Sequence, residues 1–169
     1  MITQNMSKLA LLVALATMMS AVESLIQSPL PFLRLGLANG ITLLVLKWSG
    51  LRQGLFVTLA RVLLAGLIIG RLFQPAFFLS LCGGLSAALI MAAVLKWGSR
   101  WFSLIGVSIL GAVFHNLTQW MVASLLIHRF IGIFILPVLF MVSLISGILI
   151  GYFAWLVDHT MMKHPGWSV

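Results

Sequence analysis

The feature that most constrains this chain is the succession of long, predominantly apolar stretches with only short polar connectors between them. Residues 9–26, 54–72, 75–95, 101–127 and 130–157 each reach the roughly 18 residues that a helix needs to cross a hydrocarbon core. In lipid no water satisfies backbone N–H and C=O groups, so such stretches must close their hydrogen bonds internally, as helices. A sixth stretch, residues 35–46, is too short to span as it stands. Extending it back to residue 30 gives the length but encloses Pro31 and Arg34. This second helix is expected to be short, tilted or entered through an irregular segment. Irregular backbone at that depth is tolerated only where it is buried in protein or lines a cavity. In the last stretch Pro137 is expected to kink the helix or to mark a late start.

Composition agrees. Of the 169 residues 62% are hydrophobic and 7% charged, against about 25% charged in soluble domains. A soluble chain this apolar cannot cover its own surface with polar groups. The expected architecture is therefore all-α: a polytopic membrane protein forming a six-helix bundle, with residues 1–169 as a single transmembrane domain. The first stretch follows Lys8 and contains small residues, as a cleaved signal peptide would. More membrane follows it, so it is read as helix one.

The net charge of +8 does not indicate nucleic-acid binding. The basic residues form no run and most fall between apolar stretches, the pattern set by membrane orientation. With a cytoplasmic N-terminus, Lys8, Lys47, Arg52, Lys96, Arg100 and Lys163 lie inside and Arg34, Arg71 and Arg129 outside, six against three. Both termini are thus expected in the cytoplasm, and Trp48, Trp97 and Trp101 at the cytoplasmic interface. The lone Cys82 excludes an internal disulfide and a multi-cysteine metal site. The tail from Asp158 reads as short and polar, with His128, His159 and His164 solvated and no preorganised metal site.

Polar side chains inside hydrocarbon are costly and tend to mark function. Glu23 lies near the outer end of helix one and Arg61 near the middle of helix three. They either lock two helices as a pair or meet a ligand, with Arg61 facing an anionic or carbonyl group. On helix five, Ser108, Gly111, His115 and Gln119 follow at steps of three or four and share a face, flanked by Asn116. Helix four opens with Ser80, Gly83, Gly84 and Ser86, and helix two contributes Asn39 and Thr42. With the expected topology, Glu23, Asn39, Arg61, Ser80, Gly84, His115, Asn116 and Gln119 fall in the outer half of the membrane, as a substrate pocket open to the outside. Small residues recur four apart at Ala10 and Ala14, Gly36 and Gly40, Gly66 and Gly70, and Gly147 and Gly151. Such pairs allow close helix packing, within the bundle or against a partner subunit. No clustered acidic motif, phosphate loop or dinucleotide fingerprint is present. No nucleophile–base–acid set is visible, so the chain is not expected to be an enzyme on its own, and no cofactor is assigned. Energised transport would need a partner ATPase or an ion gradient.

Several segments together resemble a known family. They are Glu23-Ser24-Leu25, Leu35-Gly36-Leu37-Ala38-Asn39, Arg61-Val62-Leu63-Leu64, Ser80-Leu81-Cys82-Gly83-Gly84, Ile105-Gly106-Val107-Ser108, His115-Asn116 and Gln119. In this order they resemble the Gx transporter family, also labelled heptaprenyl diphosphate synthase component I. That family usually has Pro-Gly and a Lys before the Gly-Leu-Ala-Asn segment; here the stretch reads Pro31-Phe32-Leu33-Arg34, which keeps the charge and alters the turn. The family is similar to the substrate-binding S-components of energy-coupling factor transporters. The resemblance implies six helices, cytoplasmic termini in a bacterial inner membrane, an outward pocket, and a first helix whose small residues, here Ala10 and Ala14, dock a partner transmembrane subunit. It also implies a link to membrane redox systems, because the family's genes accompany flavin-attachment and quinone-synthesis genes. Three functions follow as expectations: small-molecule binding or uptake, a membrane subunit of a quinone- or flavin-linked redox complex, and an accessory component of polyprenyl diphosphate synthesis. The last would leave catalysis elsewhere, since this chain has one Asp in total.

Overall fold

The computed structural model describes residues 2–25, 35–98, 100–128 and 133–161. Pro31, Arg34, Arg129, Lys163 and His164 lie outside the described residues. The described chain is helical: α1 (Ile2–Leu25), α2 (Leu37–Ser49), α3 (Leu51–Ile68), α4 (Pro75–Trp97), α5 (Leu104–Leu126) and α6 (Leu136–Met161). All but α2 are long and apolar enough to cross a membrane. Their outward faces carry large apolar side chains, among them Leu67, Ile68 and Leu125, each more than half exposed. Only lipid makes such a surface favourable, and the protein is an integral membrane protein.

Local chemistry sets the helix ends. Gly50 separates α2 from α3 at φ 82°, and α3 therefore begins three residues before the expected start. It stops at Ile68 instead of residue 72, because Gly70 and Phe73 adopt φ 69° and 62°. Pro75 then opens α4 at its first position, where its missing N–H costs nothing. The side chain of Ser103 accepts the N–H of Gly106 at 3.2 Å and caps α5. Pro137 marks a late start: a single 3-10 turn over Ile133–Ile135 leads into α6, with the proline as its second residue.

Helix α2 has 13 residues, about 20 Å at 1.5 Å per residue, well short of the ~30 Å core. Every residue from Ala38 to Leu46 is buried. The other helices form an arc, α1–α3–α4–α5–α6, in which α1 and α6 do not touch among the described residues. Helix α2 sits in the hollow and contacts all five. On one side Leu43, Leu44 and Leu46 pack with Ala87, Ala88 and Met91 of α4, Val107 of α5 and Ala154 of α6. On the other, Ile41 and Val45 pack with Leu12, Val13 and Ala16 of α1 and Val57 of α3.

Glycines let the long helices close up. A Cβ on Gly147 would lie 2.6 Å from the Cα of Ile109, and one on Gly151 would lie 2.8 Å from the Cα of Ile105, so α6 crosses α5 at backbone contact. The Gly147 and Gly151 pair is thus used inside the bundle. Gly40 likewise admits Ile150 of α6.

Both acids of the chain hold α2 by its ends. At the N-terminal end the Glu23 carboxylate accepts the N–H of Gly36. At the C-terminal end Asp158 accepts from Lys47 Nζ at 2.5 Å and from Trp48 Nε1 at 2.8 Å. Glu23 at the start and Lys47 in the last turn suit the helix dipole, whereas Asp158 at the C-terminal end is held there by Lys47 and the Trp48 indole. One expectation is corrected here: Asp158 is a buried residue of α6 and does not begin a polar tail. Trp48, near the end of α2, is half-buried and donates to Asp158, and Trp97 and Trp101 stand 76% and 83% exposed.

Candidate functional site

At the end of the bundle where α1, α3 and α5 finish and α2 and α4 begin, five helices surround a cleft. The last turns of α1 present Ser20, Glu23 and Ser24, spaced three and four apart on one face. Helix α2 contributes Gly36, whose φ of 73° places it in the left-handed region that glycine enters without strain. Helix α3 contributes Arg61, Val62, Ala65 and Gly66, and the turn after it Ile69 and Arg71. Ala76, Phe77 and Ser80 come from α4 and His115 from α5. The cleft is partly open, with about 40 Å³ accessible to water-sized molecules.

Arg61 is the centre of this arrangement and is 5% exposed. Its Nη1 donates to Ser20 Oγ at 3.0 Å and its Nη2 to Asn39 Oδ1 at 2.7 Å, tying α3 to α1 and α2. The guanidinium lies close over Gly84: a Cβ there would meet Nη2 at 3.1 Å. Glycine at this position lets a charged group pass between α3 and α4. Buried ionised groups are tolerated only with such partners, and charge-assisted bonds of this kind are the stronger ones. Gly83 does the same for α5, since its Cβ would lie 3.2 Å from Cε1 of the His115 ring.

The structure sorts the expected site residues. Glu23, Arg61, Ser80 and His115 line the cleft together. Asn39 stands behind Arg61 as its acceptor, and Gly84 lies beneath it. Gln119 is one turn along α5 from His115, fully buried, and donates from Nε2 to the Leu79 carbonyl at 3.4 Å. Asn116 looks elsewhere: its Nδ2 donates to Ser143 Oγ of α6 at 2.9 Å, and Ser143 donates onward to the Leu139 carbonyl at 2.7 Å. Gly111 and His115 face α4, while Ser108 and Asn116 face α6, so the polar stripe of α5 divides between two neighbours. Ala10 and Ala14 lie apart from the cleft, on the outer side of the bundle. They help line an apolar groove of about 670 Å³ between α1 and α3.

Ser20, Arg71 and Phe77 belong to the site and were not singled out for it from sequence. Ser20 precedes Glu23 by three residues, a spacing that puts both on one face. Arg71 read only as a loop charge.

Chemically, the cleft sets one cationic side chain, Arg61, among serines whose hydroxyls are engaged: Ser20 Oγ accepts from Arg61, and Ser24 and Ser80 donate to the Ser20 and Ala76 carbonyls. Asn39 lies behind Arg61, and its Nδ2 has no acceptor among the described residues. Among the described residues no group of three His, Cys, Asp or Glu side chains is placed to hold a metal ion.

No curated protein and no solved structure matches the chain. The sequence pattern of heptaprenyl diphosphate synthase component I matches residues 12–157, a span that takes in every residue lining the cleft, and the chain belongs to that family.

Proposed function

We propose that this protein binds a small molecule from the membrane exterior in the cleft around Arg61, as a binding or uptake component similar to the S-components of energy-coupling factor transporters. The observation that carries the reading is a buried arginine lining a cavity within the helix bundle. A membrane-embedded ionised group is costly unless used, and ligand contact is a common use. With cytoplasmic termini in a bacterial inner membrane, the cleft opens outward. The chain acts without catalysis of its own and hands its ligand on through partner subunits, since its sequence holds no nucleotide-binding loop.

The test is native mass spectrometry of the purified protein in nanodiscs, scanning for co-purifying small molecules. A bound species should be seen, and Arg61→Ala or His115→Ala should weaken its retention at least tenfold. Full retention by both variants removes the cleft from the reading.

The family's name supports a second reading, an accessory component of prenyl diphosphate synthesis. Such synthesis needs clustered aspartates to hold magnesium diphosphate. The one Asp here, Asp158, is engaged with Lys47 and Trp48. Catalysis would then reside in a partner, and prenyl chain output should change when this protein is removed. An unchanged product profile excludes this second reading.

A further inference from the structure

Exposed cations and exposed indole rings meet at the end of the bundle opposite the cleft, where α4 finishes and α3 and α5 begin. Arg52 in the first turn of α3, Lys96 in the last turn of α4 and Arg100 in the connection to α5 are all exposed. The chain has two acidic side chains to set against them. Glu23 stands at the cleft end and accepts the Gly36 N–H. Asp158 is at this end, but it is taken by Lys47 and Trp48. No Asp or Glu is therefore left for Arg52, Lys96 and Arg100, and their counter-charge comes from elsewhere.

The depth of this surface is fixed by helix length. Helix α4 has 23 residues, about 35 Å at 1.5 Å per residue, against a hydrocarbon core of about 30 Å. Its last turn thus lies at the edge of the core. The connection to α5, residues 98–103, is too short to leave the membrane surface. Out and back, it rises no more than about 10 Å, close to the ~5–8 Å depth of a headgroup layer. Trp97 and Trp101 are exposed there, and Lys96 Nζ lies 5.4 Å from the centre of the Trp97 ring. At the same end, on the outer face of α6, Tyr152 stacks on Trp155 and Trp155 on His159. Such rings are favoured where an apolar body meets lipid and a polar edge meets water.

A zwitterionic lipid would bring an ammonium group to a surface with no free carboxylate side chain to receive it. A stable protein interface buries roughly 1,200 Å² or more, which a short connection flush with the membrane does not supply by itself. An anionic phospholipid brings net negative charge and no competing cation. We propose that this end of the bundle holds anionic phospholipid headgroups, with the headgroup at Lys96 and Arg100, Trp97 and Trp101 set at the boundary with the acyl chains, and Arg52 as a second point of contact. Each such cation near an anionic surface strengthens binding roughly fivefold.

The test is native mass spectrometry of the full chain released from nanodiscs that contain equal parts of phosphatidylglycerol and phosphatidylcholine. Phosphatidylglycerol should be retained at least fivefold in excess. The double variant Lys96→Gln, Arg100→Gln should lose at least fivefold of that excess, and Lys96→Arg should keep it. The double variant should melt in detergent at the wild-type temperature, because neither side chain has an acidic partner to lose. If it does not fold, Arg52→Gln serves in its place and should lower the excess severalfold.

Equal retention of the two lipids by the wild type overturns the proposal. So does an excess that neither variant changes, which would place the lipid elsewhere, or displacement of the lipid by an excess of glycerol phosphate, which would make this a site for free anions. Loss of a protein subunit, with lipid retention unchanged, would assign the surface to a protein partner instead.

Discussion

Arg61 on α3 donates to the side-chain oxygen of Asn39 on α2 at 2.7 Å, so the most deeply placed charge in the bundle takes an acceptor from the one helix that cannot span. Asn39→Leu removes that acceptor and leaves a buried guanidinium nitrogen without it. A hydrogen bond to a charged group is worth about 1.5–3 kcal/mol, so the variant should lose about 2 kcal/mol of stability. Reversible unfolding in mixed micelles measures this. A loss below about 0.5 kcal/mol would mean that Ser20 and water hold Arg61 unaided.

Asp158→Ala should cost about 2 kcal/mol, because Lys47 and Trp48 both lose their acceptor. Asp158→Asn should cost less, since its amide oxygen still accepts from the Trp48 indole. Equal losses for the two variants would assign the effect to the Lys47 ion pair alone.

Glycine substitutions separate crowding from backbone conformation. Gly147→Val places a branched side chain where even a Cβ would lie 2.6 Å from the Ile109 backbone. Overpacking of this kind costs about 1–3 kcal/mol or more. Gly50→Ala meets nothing within 4 Å, and its cost comes only from a backbone at φ 82° and ψ −175°, a region essentially reserved for glycine, about 1–3 kcal/mol. Melting temperatures of both variants should therefore fall, and an unchanged value for Gly147→Val would contradict the tight α5–α6 crossing.

The ends of α4 should face opposite sides of the membrane. In a Cys82→Ser background, Arg71→Cys and Lys96→Cys should react with an impermeant maleimide from opposite faces of oriented vesicles. Arg71, at the cleft mouth, should react from the outside if the basic-residue asymmetry sets the orientation. Labelling of both from one side would mean that α4 does not span.

Much of this arrangement is legible from residue order. The five long helices follow from length and apolarity, and the second helix, equally apolar, stands out by failing the length test. Its enclosure by the other five is not legible, because an apolar face against protein and one against lipid read alike. The roles of Glu23, Arg61, Ser80 and His115 as neighbours follow from depth alone. Asn116 misleads because adjacent residues on a helix point about 100° apart, and here the two directions meet different helices. Asp158 carried a readable signal: Gly147, Gly151, Ala154 and Asp158 follow at steps of four, three and four on one buried face. That pattern points the acid inward, where proximity to the chain end suggested solvent.

The brevity and enclosure of α2 also bear on how the protein is made. A helix can enter the bilayer alone and associate afterwards only if it is long enough to be stable there, which holds for α1, α3, α4, α5 and α6. Helix α2 has no such independent stage. It must be brought in alongside its neighbours, and its far grip, Asp158, lies on the last helix to be synthesised. The cleft that depends on its first turn is thus completed late in biogenesis, and a nascent chain halted before α6 carries every cleft-lining residue without the anchor that seats them.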